Sequence, residues 1–340
     1  MEHKEFDLIT FGEIMLRLSP PMNERMVRGD IFEKRAGGSE LNVASGVSLL
    51  GLRTGIISKL PENELGTYIK NRIRFVGVSD DYLIYDESQD ARLGIYYYES
   101  GAAPRKPAIV YDRKSASINH ICLDEIPESV YTSTRCFHTS GISLALSKEV
   151  RAVAIELIHR FKKGGALISF DVNYRANLWS EEECRATLEE ILPEIDVLFV
   201  SEETSRRMFQ KQGQLYDIMK SYCDDFGVKL VATTQRIVKS PRKHTFGSVI
   251  YDAATDTHYS EAPYEDIDVV DRIGSGDAYV AGVLFGLLKY NDAEKALQFG
   301  NATSSVKNTI PGDLPSSDFK EIAGIIKAHT ATGPVSEMSR

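Results

Sequence analysis

The sequence predicts a doubly wound α/β fold, in which helices cover both faces of a mainly parallel β-sheet. Apolar strand-like runs alternate along the chain with helix-like segments, an order typical of α/β proteins. Most of these runs are continuously apolar, as expected for strands whose two faces are both buried. With 340 residues, of which 42% are hydrophobic and 26% charged, the chain can form one large catalytic domain spanning residues 1–340.

The predicted elements follow one another in this alternating order. Strands are expected at residues 8–12, 55–58, 136–140, 167–170, 197–200 and 230–233. Helices are expected at residues 39–50, 65–76, 148–163, 181–192, 202–211, 214–226, 277–289, 292–307 and 317–328. Neither an internal repeat nor a low-complexity linker interrupts the chain, and residues 330–340 are expected to form a flexible tail.

Two segments break the alternation and predict a small β-sheet lid. Residues 15–36 contain a pair of prolines, and residues 91–112 contain three consecutive tyrosines. Both have the character of hairpins or edge strands. We expect them to pair over the strand ends, where α/β proteins bind ligands. Exposed edges of such a lid often pair across subunits, so a homo-oligomer is expected.

The overall composition excludes several classes of function. A net charge of −9 argues against nucleic acid as a general partner. No run reaches the roughly 18 apolar residues that a membrane span needs, and the charged first residues do not resemble a signal peptide. The four cysteines are widely spaced without a CxxC pattern, so we expect reduced thiols in a cytoplasmic protein.

The most informative motif is D-R-I-G-S-G-D at residues 271–277. Its two glycines expose backbone N–H groups at the start of a predicted helix, an arrangement that binds phosphate. An aspartate at that place can accept a proton from an attacking hydroxyl. The alternative is a simple glycine turn that caps a buried helix. That helix is apolar on all sides and therefore belongs at the domain centre, which favours a small-molecule kinase.

These residues resemble the ribokinase-like (PfkB) carbohydrate kinases. Residues 271–277 match that family's D-[TSR]-x-G-[AS]-G-D signature, and a glycine pair at 37–38 matches its second marker. The resemblance extends from residue 6 to about residue 327. It implies the ribokinase-like fold, ATP and Mg²⁺ as cofactors, and phosphoryl transfer to a sugar hydroxyl. It also implies that Asp277 is the catalytic base and that Gly274, Ser275 and Gly276 form an anion hole for the ATP phosphates.

The same resemblance assigns the sugar contacts. It implies that Gly38 and Asn42 contact the sugar and that Asp313 lies near it. Asn173 and Arg175 belong to a D-x-N-x-R-x-x-L-W pattern that follows a predicted strand. This pattern is similar to fructokinases and, in its N-Y-R form, to 2-keto-3-deoxygluconate kinases. A planar guanidinium such as that of Arg175 suits a carboxylate or a phosphate.

The lid contributes further candidates. Tyr96 and Tyr98 would face the same side of a strand and close over the substrate, although ordinary sheet packing is a fair alternative. In the keto-deoxygluconate kinases the matching segment usually has a tyrosine two residues before an arginine or another large residue. Tyr98 stands where some relatives have arginine, so Arg105 or Arg175 would supply the charge. Arg17 either favours an acidic sugar or pairs with a neighbouring acid.

The nucleotide side is predicted from the C-terminal half. By resemblance, Thr234 and Arg236 border the ATP phosphates or ribose, and Asn301 contacts the nucleotide. Mg²⁺ would be held mainly by phosphates and water, with Glu202 or Glu203 as protein contacts. The sequence leaves open whether a monovalent cation is needed.

These inferences combine into one functional hypothesis. We expect ATP-dependent phosphorylation of 2-keto-3-deoxygluconate at its terminal hydroxyl, yielding 2-keto-3-deoxy-6-phosphogluconate. The nearest alternative is a fructokinase or another ribokinase-like sugar kinase. An alternative of a different class is a non-catalytic sugar or nucleotide sensor, against which the intact Asp277 and its glycines argue.

Overall fold

A ten-stranded sheet forms the centre of the structure, a computed structural model that describes residues 4–21 and 23–331. The strands are β1 (Phe6–Phe11), β2 (Met15–Ser19), β3 (Glu33–Gly37), β4 (Thr54–Pro61), β5 (Leu83–Asp86), β6 (Gly94–Glu99), β7 (Ala108–Asp112), β8 (Thr134–Ser140), β9 (Leu167–Asp171), β10 (Val197–Phe199), β11 (Leu230–Ser240), β12 (Lys243–Asp252), β13 (Thr257–Ser260) and β14 (Tyr264–Asp268). The helices are α1 (Ser39–Leu49), α2 (Glu64–Phe75), α3 (Gly141–Ala145), α4 (Lys148–Lys163), α5 (Glu181–Ile191), α6 (Glu202–Arg207), α7 (Leu215–Phe226), α8 (Ser275–Tyr290), α9 (Ala293–Asn308) and α10 (Phe319–Thr330).

The central sheet is mainly parallel, as predicted. Its order is β13-β12-β11-β10-β9-β8-β1-β4-β5, with β14 paired to β12. The pairs from β5 to β11 are parallel, whereas β12 joins β11 antiparallel and begins an antiparallel edge. Leu8 and Ile9, which are consecutive in β1, belong to separate hydrophobic clusters on opposite faces of the sheet. Helices therefore cover both faces, and the doubly wound fold is confirmed.

The predicted lid is a separate sheet of four strands in the order β3-β2-β6-β7. We call these strands the lid sheet. Strand β2 continues from β1 after a short connection and pairs parallel to β6 and antiparallel to β3. All five residues of β7 are exposed, so this edge of the lid sheet is uncovered in the single chain.

The prediction was incomplete at the antiparallel edge. Residues 237–246, for which no strand was predicted, form the outer half of β11, a turn and the start of β12. The first four residues of β11 are buried and the rest are almost all exposed. The apolar run from which this strand was predicted therefore covers only the buried part of β11. Helix α6 also ends earlier than expected, at Arg207, and most of the predicted tail, residues 332–340, lies outside the described residues.

Helix α8 lies at the centre of the domain, against α1 and α9. Its residues are buried from Ala278 to Gly286. A side-chain carbon on Gly282 would lie 2.4 Å from the carbonyl oxygen of Phe299, and one on Gly286 would lie 2.4 Å from the Cα of Ala296. These glycines let two helix backbones approach closely, and this packing fixes where the N-terminus of α8 opens. Within the described ranges, no helix is both long and apolar enough to cross a membrane.

Candidate active site

The N-terminus of α8 opens into a cleft and offers unpaired backbone amides. Gly274 precedes the helix with a φ of +81°, in the left-handed region, and a Cβ there would lie 2.1 Å from the carbonyl oxygen of Asp313. The N–H of Ser275 donates to the carbonyl of Arg272 at 3.2 Å. Within the described residues, the N–H groups of Gly276 and Asp277 have no protein acceptor. These two amides, with the helix dipole behind them, can bind an anion.

Asp277 joins three motifs that are far apart in the sequence. Its Oδ1 accepts a hydrogen bond from the hydroxyl of Ser39 at 2.7 Å, and its Oδ2 accepts one from Nδ2 of Asn42 at 2.6 Å. Asn173 in turn donates to the Ser39 hydroxyl at 3.1 Å. The start of α1, the loop after β9 and the start of α8 therefore meet at one carboxylate.

Burial raises the pKa of Asp277 above its ordinary value. The hydrogen bonds from Asn42 and Ser39 and the positive charge of Arg175 act in the opposite direction and limit the rise. A carboxylate that is less solvated than usual is a better proton acceptor, provided that it stays ionised. The geometry therefore suits a general base at the bottom of the cleft.

Two further carboxyl groups lie close to Asp277 and were not predicted as functional residues. Burial raises the pKa of Asp171 to about 7, with repulsion from Asp277 as the next cause. Burial also raises the pKa of Glu40 to about 7, although the hydroxyls of Ser140 and Ser143 donate to its Oε1 at 2.6 and 2.9 Å. Because the three acids repel one another, a cation near them would stabilise their ionised forms.

Three arginines that line the cleft could bind an anion. Among the described residues, none of Arg175, Arg236 and Arg272 forms a salt bridge. In the part of the chain that the structure describes, the guanidinium of Arg175 donates only to the backbone carbonyls of Asn173 and Tyr174, at 3.5 and 3.1 Å. Burial and the neighbouring charge of Arg272 lower the pKa of Arg236. These three guanidinium groups therefore line a cleft that the carboxyl groups of Asp171 and Asp277 also line.

Two adjoining cavities make up the cleft. The first has a volume of about 510 Å³ and lies between the lid sheet and the N-terminus of α8. The second, of about 430 Å³, extends toward β10 and β11. The predicted residues that line the first cavity are Gly38, Asn42, Tyr96, Asn173, Arg175, Arg236, Gly274, Ser275, Gly276, Asp277 and Asp313. The predicted residues that line the second are Asn173, Arg175, Glu203, Thr234, Arg236 and Gly276.

Four candidates do not line either cavity. Tyr98 lies beneath Arg17, whose guanidinium carbon is 4.3 Å from the ring centroid. Arg105 pairs with Glu99 in the same lid. Glu202 pairs with Arg206 at 2.6 Å.

Asn301 is the fourth of these candidates. It is fully buried, accepts from Ser248 at 2.7 Å and donates to Glu261 at 2.7 Å. Because its amide is engaged on both sides by protein groups, its contact with the nucleotide stays a prediction.

The structure decides between the two interpretations of Arg17. Its side chain is buried and pairs with Asp271 at 2.7 Å and with Asp313 at 2.8 Å. The hydroxyl of Tyr96 also donates to Asp313. Arg17 therefore pairs with neighbouring acids, and the idea that it favours an acidic sugar directly has no support. Arg17 instead connects the lid sheet to Asp271, the first residue of the 271–277 motif, and to Asp313, in the turn after α9.

Two further lid residues that line the first cavity were not predicted as site residues. Tyr111 and Arg113 lie at and just beyond the end of β7, and both line this cavity. Arg113 pairs with the buried Glu13. The sequence does contain a tyrosine two residues before an arginine here, but only the fold shows that this pair, and not Tyr96 with Tyr98, has that spacing in the cavity wall. The predicted lid segment ended at residue 112, one residue too early.

Comparison with known proteins identifies the family. A model of the pfkB family of carbohydrate kinases matches residues 6–318. The chain belongs to this family. It is 35% identical over 325 residues to a 2-dehydro-3-deoxygalactonokinase of Haloferax volcanii, covering 96% of this chain and 98% of that protein.

Solved structures agree with this assignment. A 2-dehydro-3-deoxygluconokinase from Thermotoga maritima superposes with a TM-score of 0.89 at 31% identity, over 95% of this chain and 99% of that one. An E. coli protein provisionally assigned as ribokinase II, solved with ATP and Mg²⁺, superposes with a TM-score of 0.81 at 22% identity, over 95% and 100%. The PfkB chain described here is thus a sugar kinase related to the kinases of 2-keto-3-deoxy sugar acids.

Proposed function

We propose that this PfkB kinase transfers the γ-phosphoryl group of ATP to the terminal hydroxyl of 2-keto-3-deoxygluconate. The product would be 2-keto-3-deoxy-6-phosphogluconate. The observation that carries this proposal is the guanidinium of Arg175, which forms no salt bridge among the described residues and lines the same cavity as the Asp277 carboxylate. An acid sugar needs a cation at one end and a base at the other, and the cleft offers both.

Each step is assigned to a group of this chain. Asp277 accepts the proton of the terminal hydroxyl as that oxygen attacks phosphorus. The free amides of Gly276 and Asp277 stabilise the negative charge of the transferring phosphoryl group. Arg236 and Arg272, which carry no salt bridge in the described residues, are placed to bind the phosphates of ATP. Tyr96 and Tyr111 of the lid line the cleft and reduce the access of water, the competing acceptor.

The chain also has residues that fit Mg²⁺. Asp171 and Glu203 line the second cavity, and the crowded charge of Asp171 and Asp277 favours a cation there. Among the described residues no group of three His, Cys, Asp or Glu side chains is arranged to hold a metal ion. A hydrated ion needs few protein ligands when phosphates bind it. When bound, Mg²⁺ would neutralise phosphate charge, while Asp171 and Glu203 would hold it through water.

A substrate panel tests the proposal. ADP release would be measured with 2-keto-3-deoxygluconate, its galactonate epimer, fructose and ribose, each with ATP and Mg²⁺. We expect the highest kcat/KM with 2-keto-3-deoxygluconate. A preference for fructose would replace the proposal by a fructokinase, and no ADP release with any sugar would favour a sensor.

The galactonate epimer is a second candidate, because the Haloferax volcanii relative named for it is 35% identical. The two acids differ in the configuration of one hydroxyl. A higher kcat/KM for the epimer in the same panel would reassign the substrate but leave the roles of Asp277 and Arg175 unchanged.

We further propose that the kinase acts in the cytoplasm and self-associates through its lid. All four cysteines are free, which fits a reducing compartment. Strand β7 is an uncovered edge on which Ile109, Val110 and Tyr111 are 39%, 54% and 40% exposed. An edge this apolar is normally protected by pairing. Sedimentation should show a dimer for the native chain and a shift toward monomer for Val110→Lys, and a monomeric native chain would contradict the proposal.

A further inference from the structure

Lys307, near the end of α9, is a buried cation with no role in the mechanism above. Its side chain is 1% exposed. Its Nζ donates to the carbonyl oxygen of Asp271 at 3.3 Å and to that of Ile310 at 3.1 Å. Within the described residues it forms no salt bridge. A buried ammonium group held only by backbone carbonyls is costly, so it needs an explanation.

The two carbonyls belong to the two loops that form the floor of the anion hole. Asp271 opens the loop of residues 271–277, which we call the anion-hole loop. Ile310 begins the turn that leads to Asp313, and the backbone of that turn contacts Gly274. The same turn supplies the N–H of Gly312 to Oδ2 of Asp271 at 3.0 Å. Lys307 therefore connects the loop that binds phosphate to the loop that supports it.

We propose that Lys307 is a tethered cation that positions the anion-hole loop, so that this kinase needs no diffusible monovalent cation. Lys307 does not touch the reacting atoms; it acts through the carbonyls of Asp271 and Ile310. The inference rests on the proposed kinase activity but not on which sugar is phosphorylated. A carbonyl oxygen is also the usual ligand of a small monovalent cation, so such an ion can take the place of the ammonium when the lysine is removed.

The charges around Lys307 support a protonated side chain. Burial lowers its pKa to about 8, while Asp271, Asp313 and Asp277 act to raise it and Arg17 acts to lower it. These charges come from the anion-hole loop, the following turn, α8 and β2, which are the elements packed against it. The nearby acids thus keep the ammonium form available at neutral pH.

The test compares Lys307→Met with the native chain in choline, potassium and ammonium chloride at equal ionic strength. We expect the native rate to be equal in the three salts. In choline, Lys307→Met should lose kcat by on the order of 10²-fold, because a slightly displaced loop misplaces the phosphoryl group. Potassium or ammonium should restore much of this loss. Lys162→Met removes a half-buried lysine that pairs with Asp196 at 2.8 Å far from the cleft, and it should show neither effect.

A second measurement does not depend on turnover. Hydrogen exchange of residues 271–277 should speed up in Lys307→Met and slow again in potassium, while exchange in the core strands stays unchanged. Activation of the native chain by potassium would overturn the inference even if the variant fails to fold. So would a folded Lys307→Met with native kcat and native exchange. A native chain that phosphorylates none of the sugars refutes the proposed function, and the exchange result then decides the role of Lys307 separately.

Discussion

At the scale of single residues, Asp277 has the position, partners and environment of a general base. The hydroxyl of Ser39 and the amide of Asn42 hold both oxygens of its carboxylate, and its helix presents two free amides beside it. The side-chain contacts fix the direction of the carboxylate, while burial raises its pKa. The two side chains that orient the carboxylate therefore also limit the rise in its pKa.

Replacing Asp277 by Asn tests this role. Asp277→Asn keeps the shape and the hydrogen bond from Ser39 but cannot accept the proton, so kcat should fall by about 10²- to 10⁴-fold. Calorimetry should show nearly unchanged ATP affinity, because the free amides remain. A variant with native turnover would remove Asp277 from the mechanism.

Arg175 is expected to determine the preference for an acidic sugar. Arg175→Ala should raise KM for the keto-deoxy acid by about 10- to 100-fold, the value of a charged hydrogen-bonded contact, and change KM for ATP much less. Steady-state kinetics with each substrate varied in turn would measure both. The control is Arg185→Ala, which removes a surface pair with Glu189 on α5. If KM rose for ATP and not for the sugar acid, Arg175 would be a phosphate ligand instead.

At this scale, four residues of the predicted motifs lie together in the structure, and their functional roles stay predictions. Gly38, Asn42, Asn173 and Asp277 were predicted, and all line the cleft. Glu40 was missed because nothing in its local sequence shows that the hydroxyls of α3 and of the end of β8 will surround it.

At the scale of elements, the start of α8 contains two glycines that differ in backbone conformation and in the space around them. Gly274 has a positive φ and no room for a Cβ beside the carbonyl of Asp313. Gly276 has no neighbour within 4 Å of an added Cβ, so it faces the open cleft. The first glycine serves the conformation of the loop, and the second leaves space for the phosphate.

This difference predicts two distinct phenotypes. Gly274→Ala should lower the free energy of unfolding by about 1–3 kcal/mol, because the backbone is strained and the loop must shift. Gly276→Ala should unfold like the native chain but lose kcat, because its methyl group lies where the phosphoryl group must approach. Denaturant unfolding and steady-state kinetics on both variants check this. Equal loss of stability in the two would contradict the assignment.

Strand β11 shows why element boundaries were harder to predict than their existence. Helix α4 was predicted with its observed bounds because its apolar positions repeat at a helical period. The second half of β11 is exposed, and its pairing with β12 replaces burial as the stabilising interaction. Cross-strand hydrogen bonds leave little trace in the composition of one strand.

At the scale of the whole molecule, stability should depend on pH through the buried His138. Burial lowers its pKa to about 3, and its Nδ1 is 2.9 Å from the hydroxyl of Ser169. The folded state therefore keeps the ring neutral, whereas the unfolded chain protonates it near its ordinary pKa. The contribution to stability is complete above that ordinary pKa and is lost as the pH falls toward 3.

Replacing His138 by Gln isolates this effect. Between pH 7 and pH 5 the native chain should lose about 2 kcal/mol more unfolding free energy than His138→Gln, since each pH unit below the ordinary pKa costs about 1.4 kcal/mol. The raised pKa values of Glu40 and Asp171 act in the opposite direction but are common to both chains. Denaturant unfolding at each pH would measure the difference, and parallel pH curves would rule His138 out.

The sequence by itself determined the fold class, the family and the position of the G-S-G-D motif at residues 274–277. These follow from local patterns. Apolar runs alternate with helices, and the glycine motif can be recognised from consecutive residues without knowing which distant groups fold beside it. Only the tertiary structure decided that Arg17 pairs with Asp271 and Asp313, that Tyr111 and Arg113 line the cleft, and that Lys307 lies under the anion-hole loop. Charged side chains acquire their role from groups that folding brings near them, because burial and distance set both their pairing and their pKa.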